Sequence, residues 1–165
     1  MMISETMNAR LNHQITAELS AAHAYLAMAC QLDGMGLKAV SGRFFKQHEE
    51  ELEHAMKILH YVLEVGGTVK PEGVPKPVSD YKGLEAIVKA SLEHERRVTG
   101  MINELVELAD QEKDYATRSF LNWFVDEQVE EESTMTEMLN IVRLAGPNLL
   151  QVEAWVRHQT AEAKS

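Results

Sequence analysis

Residues 46–57 read KQHEEELEHAMK, and no other stretch limits the fold so tightly. On a helix, the apolar stripe around it runs Phe44, His48, Glu51, Ala55, Ile58, Val62 and Val65, with His54 three residues beyond Glu51. A carboxylate therefore stands in the middle of a surface that should be buried. Three further segments repeat the pattern. Glu18 interrupts Met7, Leu11, Ile15, Ala22, Tyr25 and Ala29, while Glu95 interrupts Leu84, Val88, Ser91, Val98, Ile102, Leu105 and Ala109. Gln128 and Glu131 interrupt Phe120, Phe124, Met135, Met138 and Val142. Any fold that buries these stripes gathers four carboxylates at mid-height of one core.

The breaks between stripes predict which fold that is. Helices are expected over 4–33, with Ser4 as N-cap, and over 38–65, 84–111, 115–144 and 148–162. GMG at 34–36 and EKD at 112–114 are short enough to make each flanking pair an antiparallel hairpin. Between the pairs, TVKPEGVPKPVSDYKG (68–83) carries Pro71, Pro75 and Pro77, which exclude a helix and favour an extended path. At ~3.3 Å per residue it can run the length of a bundle. The expectation is an all-α architecture: a four-helix bundle in one domain over 1–165, with one long crossover and a short fifth helix.

Composition narrows the partners. A net charge of −10 argues against nucleic acid and favours cations. No apolar run is long enough to span a bilayer, MMISETMNAR lacks the pattern of a secretion signal, and Cys30 is the single cysteine; a cytoplasmic protein is expected.

The polar centre also repeats. Glu51 follows Glu18 by 33 residues, Gln128 follows Glu95 by 33, and His54 and Glu131 each lie three residues further on. Burying an unpaired charge costs several kcal/mol, and these stripes hold no Lys or Arg at that level to pair with. Two divalent cations would cancel the charge of Glu18, Glu51, Glu95 and Glu131. Oxygen-rich ligation with one imidazole suits iron or manganese better than a thiolate-seeking metal.

TAEL with Tyr25, HEEELEH, EHE at 93–95 and FLNWFVDEQVEEE at 120–132 together resemble the bacterial non-haem ferritins over essentially the whole chain. The resemblance implies a ferroxidase that oxidises Fe(II) with O2 or H2O2 and stores Fe(III) mineral in a homo-oligomeric shell of twenty-four subunits. It implies a di-iron centre in which Glu18, Glu51 and His54 hold one iron, and Glu51 bridges to a second held by Glu95 and Glu131. It places Gln128 beside the second iron and Tyr25 next to the centre. Glu50, Glu127 and Glu130 match a third iron site on the cavity side, with a solvated acidic face as the alternative. A haem-containing bacterioferritin is the nearest rival; its haem-ligating Met would fall where this chain has Leu52, so haem is not expected. A non-catalytic metal-binding scaffold is the rival from another class.

Other residues take plainer expectations. Trp123 reads as packing, Cys30 as a buried inert thiol, and the nine methionines as core filler. His13, His23, His60, His94 and His158 read as surface or locally hydrogen-bonded residues. AYLAMACQL (24–32) is apolar on nearly every side, which predicts a subunit contact. Resemblance places the terminal segment, with Leu149, Leu150, Val152, Trp155 and Val156, at a fourfold axis.

Overall fold

The computed structural model describes residues 2–163. Among these residues five helices follow one another: α1 (Glu5–Gly34), α2 (Lys38–Glu64), α3 (Leu84–Glu112), α4 (Tyr115–Ala145) and α5 (Leu149–Glu162). Each predicted helix is present, with its ends displaced by at most one residue. The caps follow from local chemistry. Ser4 Oγ accepts from the amide of Met7 at 2.9 Å, and Asp114 Oδ1 accepts from that of Thr117 at 3.0 Å. Gly36 turns the chain between α1 and α2 at φ 81°, in the left-handed region that favours glycine.

Contacts at the helix ends fix the directions. The amide of Met2 donates to Val65 O at 2.8 Å, and the Ser4 hydroxyl donates to Glu112 Oε1 at 2.8 Å. The start of α1 therefore lies beside the ends of both α2 and α3. Arg143 reaches Glu85 at 2.9 Å, which brings the end of α4 to the start of α3. The crossover lies along α1. Asn8 and Asn12 clasp Thr68 at 2.9 and 2.8 Å, and Gln31 clasps the backbone of Tyr81 at 2.6 and 2.9 Å. Gly67 is required where the crossover begins, because a Cβ there would stand 2.5 Å from Asn8 Oδ1 and 2.9 Å from Val62 O.

The core is two apolar clusters with a polar layer between them. One includes Tyr25, Leu32, Phe44, Ile87, Met135, Met138 and Val152. The other includes Met7, Leu11, Ile58, Ile102, Leu121 and Phe124. At about 1.5–3 kcal/mol per fully buried large apolar side chain, together they outweigh a polar layer costing several kcal/mol per ion. α5 adds Val152 and Val156 to the first cluster. Its Glu153 is buried and accepts from the amides of Ala39 at 2.9 Å and Val40 at 3.2 Å. Leu37 leaves the start of α2 without a side-chain cap of its own, so a carboxylate from α5 satisfies those amides and meets the positive end of the helix dipole.

Several expectations change. Phe120 is only half-buried, stacked on Tyr61 at 3.9 Å, and Leu121 occupies the core instead. Cys30 is exposed rather than buried, because the α1 stripe passes through Ala29 and the next residue points ~100° away. Met7, Met28, Met135 and Met138 are buried, but Met2, Met35 and Met56 are exposed. His94 is not a surface residue with a local partner: its Nε2 is buried without a hydrogen bond, its ring edges onto Tyr25 at 6.1 Å, and burial lowers its pKa to about 4.

Candidate metal centre

Each hairpin brings one polar residue from its first helix and two from its second into the layer between the apolar clusters. Glu18, Glu51, His54, Glu95, Gln128 and Glu131 are all buried, at 1–5 % exposure. In the first hairpin the ligand atoms of Glu18, Glu51 and His54 lie within 4.8 Å of one another. His54 Nδ1 is 3.4 Å from Glu51 Oε2. On its other side His54 Nε2 faces Glu127 Oε1 at 3.9 Å, and His54, Glu127 and Glu131 form a second group within 4.8 Å.

That second group differs from the one the resemblance implied. Among the described residues, no group of three joins Glu51, Glu95 and Glu131 at that distance. Glu95 is instead held by Tyr25, whose hydroxyl donates to Oε1, and by Gln128 Nε2, 3.3 Å from Oε2. Of the three residues matched to a third site, only Glu127 joins a cluster. Glu50 pairs with Lys46 at 3.0 Å, and Glu130 is exposed. Trp123 packs edgewise on His54 at 5.4 Å and carries the Lys57 ammonium 3.8 Å over its ring.

Two buried carboxamides complete the layer. Gln14 Nε2 donates to Glu18 Oε1 at 2.8 Å, and Gln47 Nε2 donates to Glu51 Oε1 at 3.1 Å. Both glutamines stand four residues before their glutamate, and 33 residues separate them, the interval that relates the glutamates. That repeated spacing was the available signal for them.

Electrostatics follow from burial. Desolvation first, then the Glu51 charge, raises the Glu18 pKa to about 8, with the Gln14 hydrogen bond opposing. Desolvation and the Glu95 charge push Glu51 well above the usual carboxylate range. Glu95 is raised by desolvation to about 7 against the Tyr25 and Gln128 hydrogen bonds. Desolvation and Glu95 raise Glu131 to about 7. Burial and Glu95 hold the Tyr25 phenol well above its ordinary value, so it stays a donor.

The donor set fits a cation on its own terms. Glu18 Oε2 and Gln47 Oε1 are buried oxygens without a hydrogen-bond partner, in a layer where carboxylates repel one another. A divalent ion would use orphaned oxygens and cancel the repulsion together. Oxygen with a single imidazole is the chemistry of hard or borderline metals.

Known proteins give the same answer at the level of the family. Residues 8–145 match the ferritin-like domain family. The chain is 40% identical over 145 residues to the bacterial non-heme ferritin of Staphylococcus aureus, covering 88% of this chain and 87% of the relative. Identity to the Staphylococcus haemolyticus protein of the same name is 38% over the same length. Its fold is similar to a solved open pore ferritin from the archaeon Archaeoglobus fulgidus, with TM-score 0.92, 44% identity, and coverage of 94% of this chain and 96% of that one. With the fold, the buried acidic layer and these relatives in agreement, the chain belongs to the ferritin-like family.

Proposed function

We infer that the protein is an iron-storage ferritin that oxidises Fe(II), its substrate, at a centre inside each subunit. The single observation that carries this reading is the buried Glu18–Glu51–His54 group, with an orphaned oxygen at its edge. Such a group has no stabilising role that a salt bridge would not fill at lower cost. Glu18, Glu51 and His54 bind the first Fe(II), and Glu51 bridges toward a second position served by Glu95 and Glu131. Because burial holds these acids protonated, binding Fe(II) expels protons from Glu18, Glu51, Glu95 and Glu131. Tyr25 and Gln128 orient Glu95. Bound side by side, the iron pair delivers electrons to O2 or H2O2. Glu127, half-buried beside His54, together with Glu50 and Glu130 passes the ferric product inward.

Assembly into a closed shell of twenty-four subunits, in the cytoplasm, completes the reading. The family relationship supports a shell, and so do the exposed apolar side chains Phe45, Leu52, Met56 and Leu63 along α2. Anaerobic Fe(II) titration followed by air, with native mass measured in parallel, tests it. Two tightly bound Fe(II) per chain, rapid oxidation on aeration and a shell-sized particle are expected. Metal binding without oxidation would leave a scaffold.

A further inference from the structure

The two hairpins differ most in how the fourth polar position is held. Gln128 Nε2 faces three acceptors on α3: Glu95 O at 3.1 Å, Glu95 Oε2 at 3.3 Å and Thr99 Oγ1 at 3.3 Å. Thr99 has one hydroxyl proton. Its shortest acceptor is Glu132 Oε1 at 2.6 Å, a charge-assisted bond stronger than the alternative to Glu95 O at 3.0 Å. The Thr99 oxygen is therefore an acceptor toward Gln128. With Glu95 ionised, as metal binding would leave it, a reversed amide would set its oxygen against all three acceptors, so only one orientation of Gln128 is satisfied. In that orientation Nε2 is spent on α3, and Oε1 is the atom of the amide left to meet an ion.

The internal repeat gives an independent comparison. An interval of 77 residues carries Glu18 onto Glu95, Glu51 onto Gln128 and His54 onto Glu131. The same interval carries Ala22 onto Thr99 and Ala55 onto Glu132, and both alanines are buried in the core. A clasp is thus present only in the hairpin where an amide has replaced a carboxylate. A carboxylate offers oxygen whichever way it turns, whereas an amide must be turned.

We propose that Thr99 and Glu132 are a positioning pair for the second metal position: they fix the Gln128 carboxamide so that its nitrogen steadies Glu95 and only its oxygen is offered to an ion. This rests on the two-metal reading above. The pair lies at the edge of the site, with Glu132 one-third exposed and 3.9 Å from Arg96, and need not touch the metal.

Co(II) titration of the full chain, read by its ligand-field spectrum and by competition with a chelator, tests the clasp without turnover. Thr99→Val removes the hydroxyl at nearly constant volume. It should weaken the second Co(II) equivalent by about tenfold or more and leave the first unchanged, the scale set by partners that orient a metal's ligands. Thr99→Ser should restore wild-type binding. In a Gln128→Ala background, Thr99→Val should cause no further loss, which separates the clasp from general loosening of the fold. Tight second-site binding by Thr99→Val, failure of the serine rescue, or equal weakening in the Gln128→Ala background would each overturn it. A wild-type chain that binds one equivalent or none would overturn the two-metal reading and the clasp together.

Discussion

The α1–α2 hairpin and the α3–α4 hairpin carry the same spacing of polar residues but hold them by different means. In the first, Gln14 supports Glu18 and Gln47 supports Glu51, each pair within one helix and four residues apart. In the second, the supports of Glu95 come from other helices, Tyr25 on α1 and Gln128 on α4. One half of the centre is braced as soon as its helices form; the other is braced only when the bundle closes. Pre-assembled ligands suit the position that captures a metal first, and the more dispersed set suits one filled second.

The largest test of that contrast removes a ligand from each half. Glu51→Ala should reduce Fe(II) oxidation to the rate of free iron in buffer if, as proposed, this carboxylate serves both positions. Gln128→Ala should slow it far less, since a neutral amide is lost. Equal losses, followed by stopped-flow absorbance, would remove the asymmetry.

The next effect is one of pH. In the metal-free protein the buried acids keep their protons to about 8 at Glu18 and about 7 at Glu95 and Glu131, against 4.5 in an unfolded chain. Between those limits the folded state binds more protons than the unfolded state, so stability falls as pH rises from about 5 to 8, by an amount on the order of several kcal/mol. Urea unfolding at the two ends of that range should show it, and a saturating divalent ion should abolish the slope. Glu18→Gln should flatten the slope more than Glu95→Gln, because the first hairpin holds its acids higher. The reverse order would place the larger electrostatic cost in the second.

The smallest effect concerns the amides. Gln14→Leu takes the one donor from Glu18 Oε1 and should cost about 1–3 kcal/mol at pH 8, measured by denaturant unfolding without metal. Ser91, its counterpart in the second hairpin, faces Ile87 O at 3.0 Å and Met28 Sδ at 3.3 Å rather than a carboxylate, and Ser91→Ala should cost less.

Helix limits and stripes were legible in the sequence because each stripe combines a period with punctuation. Ser4, Asp114, Gly36 and the prolines of the crossover mark ends that hydrophobic spacing alone would blur. The buried glutamates and His54 were legible because a charge in an apolar stripe violates the pattern. Gln14 and Gln47 break no such rule: a glutamine one step off a stripe looks like surface until its neighbour is known to need a donor. Glu153 was illegible for another reason. Its partners are backbone amides more than a hundred residues away, and no side-chain pattern announces an uncapped α2. The enclosure of the His94 ring against Tyr25 depends on how closely α1 and α3 approach, which periodicity does not specify.

The crossover clasped at both ends of α1 makes the bundle a structure with matched rulers. Thr68 is tied to Asn8 and Asn12, and Tyr81 to Gln31, so an extended strand and a helix span the same distance. One helical turn is ~5.4 Å long, and an extended residue of this kind covers ~3.1 Å. Shortening α1 by a turn would therefore leave almost two surplus residues in the crossover, and evolution of this chain's height must edit both segments in step.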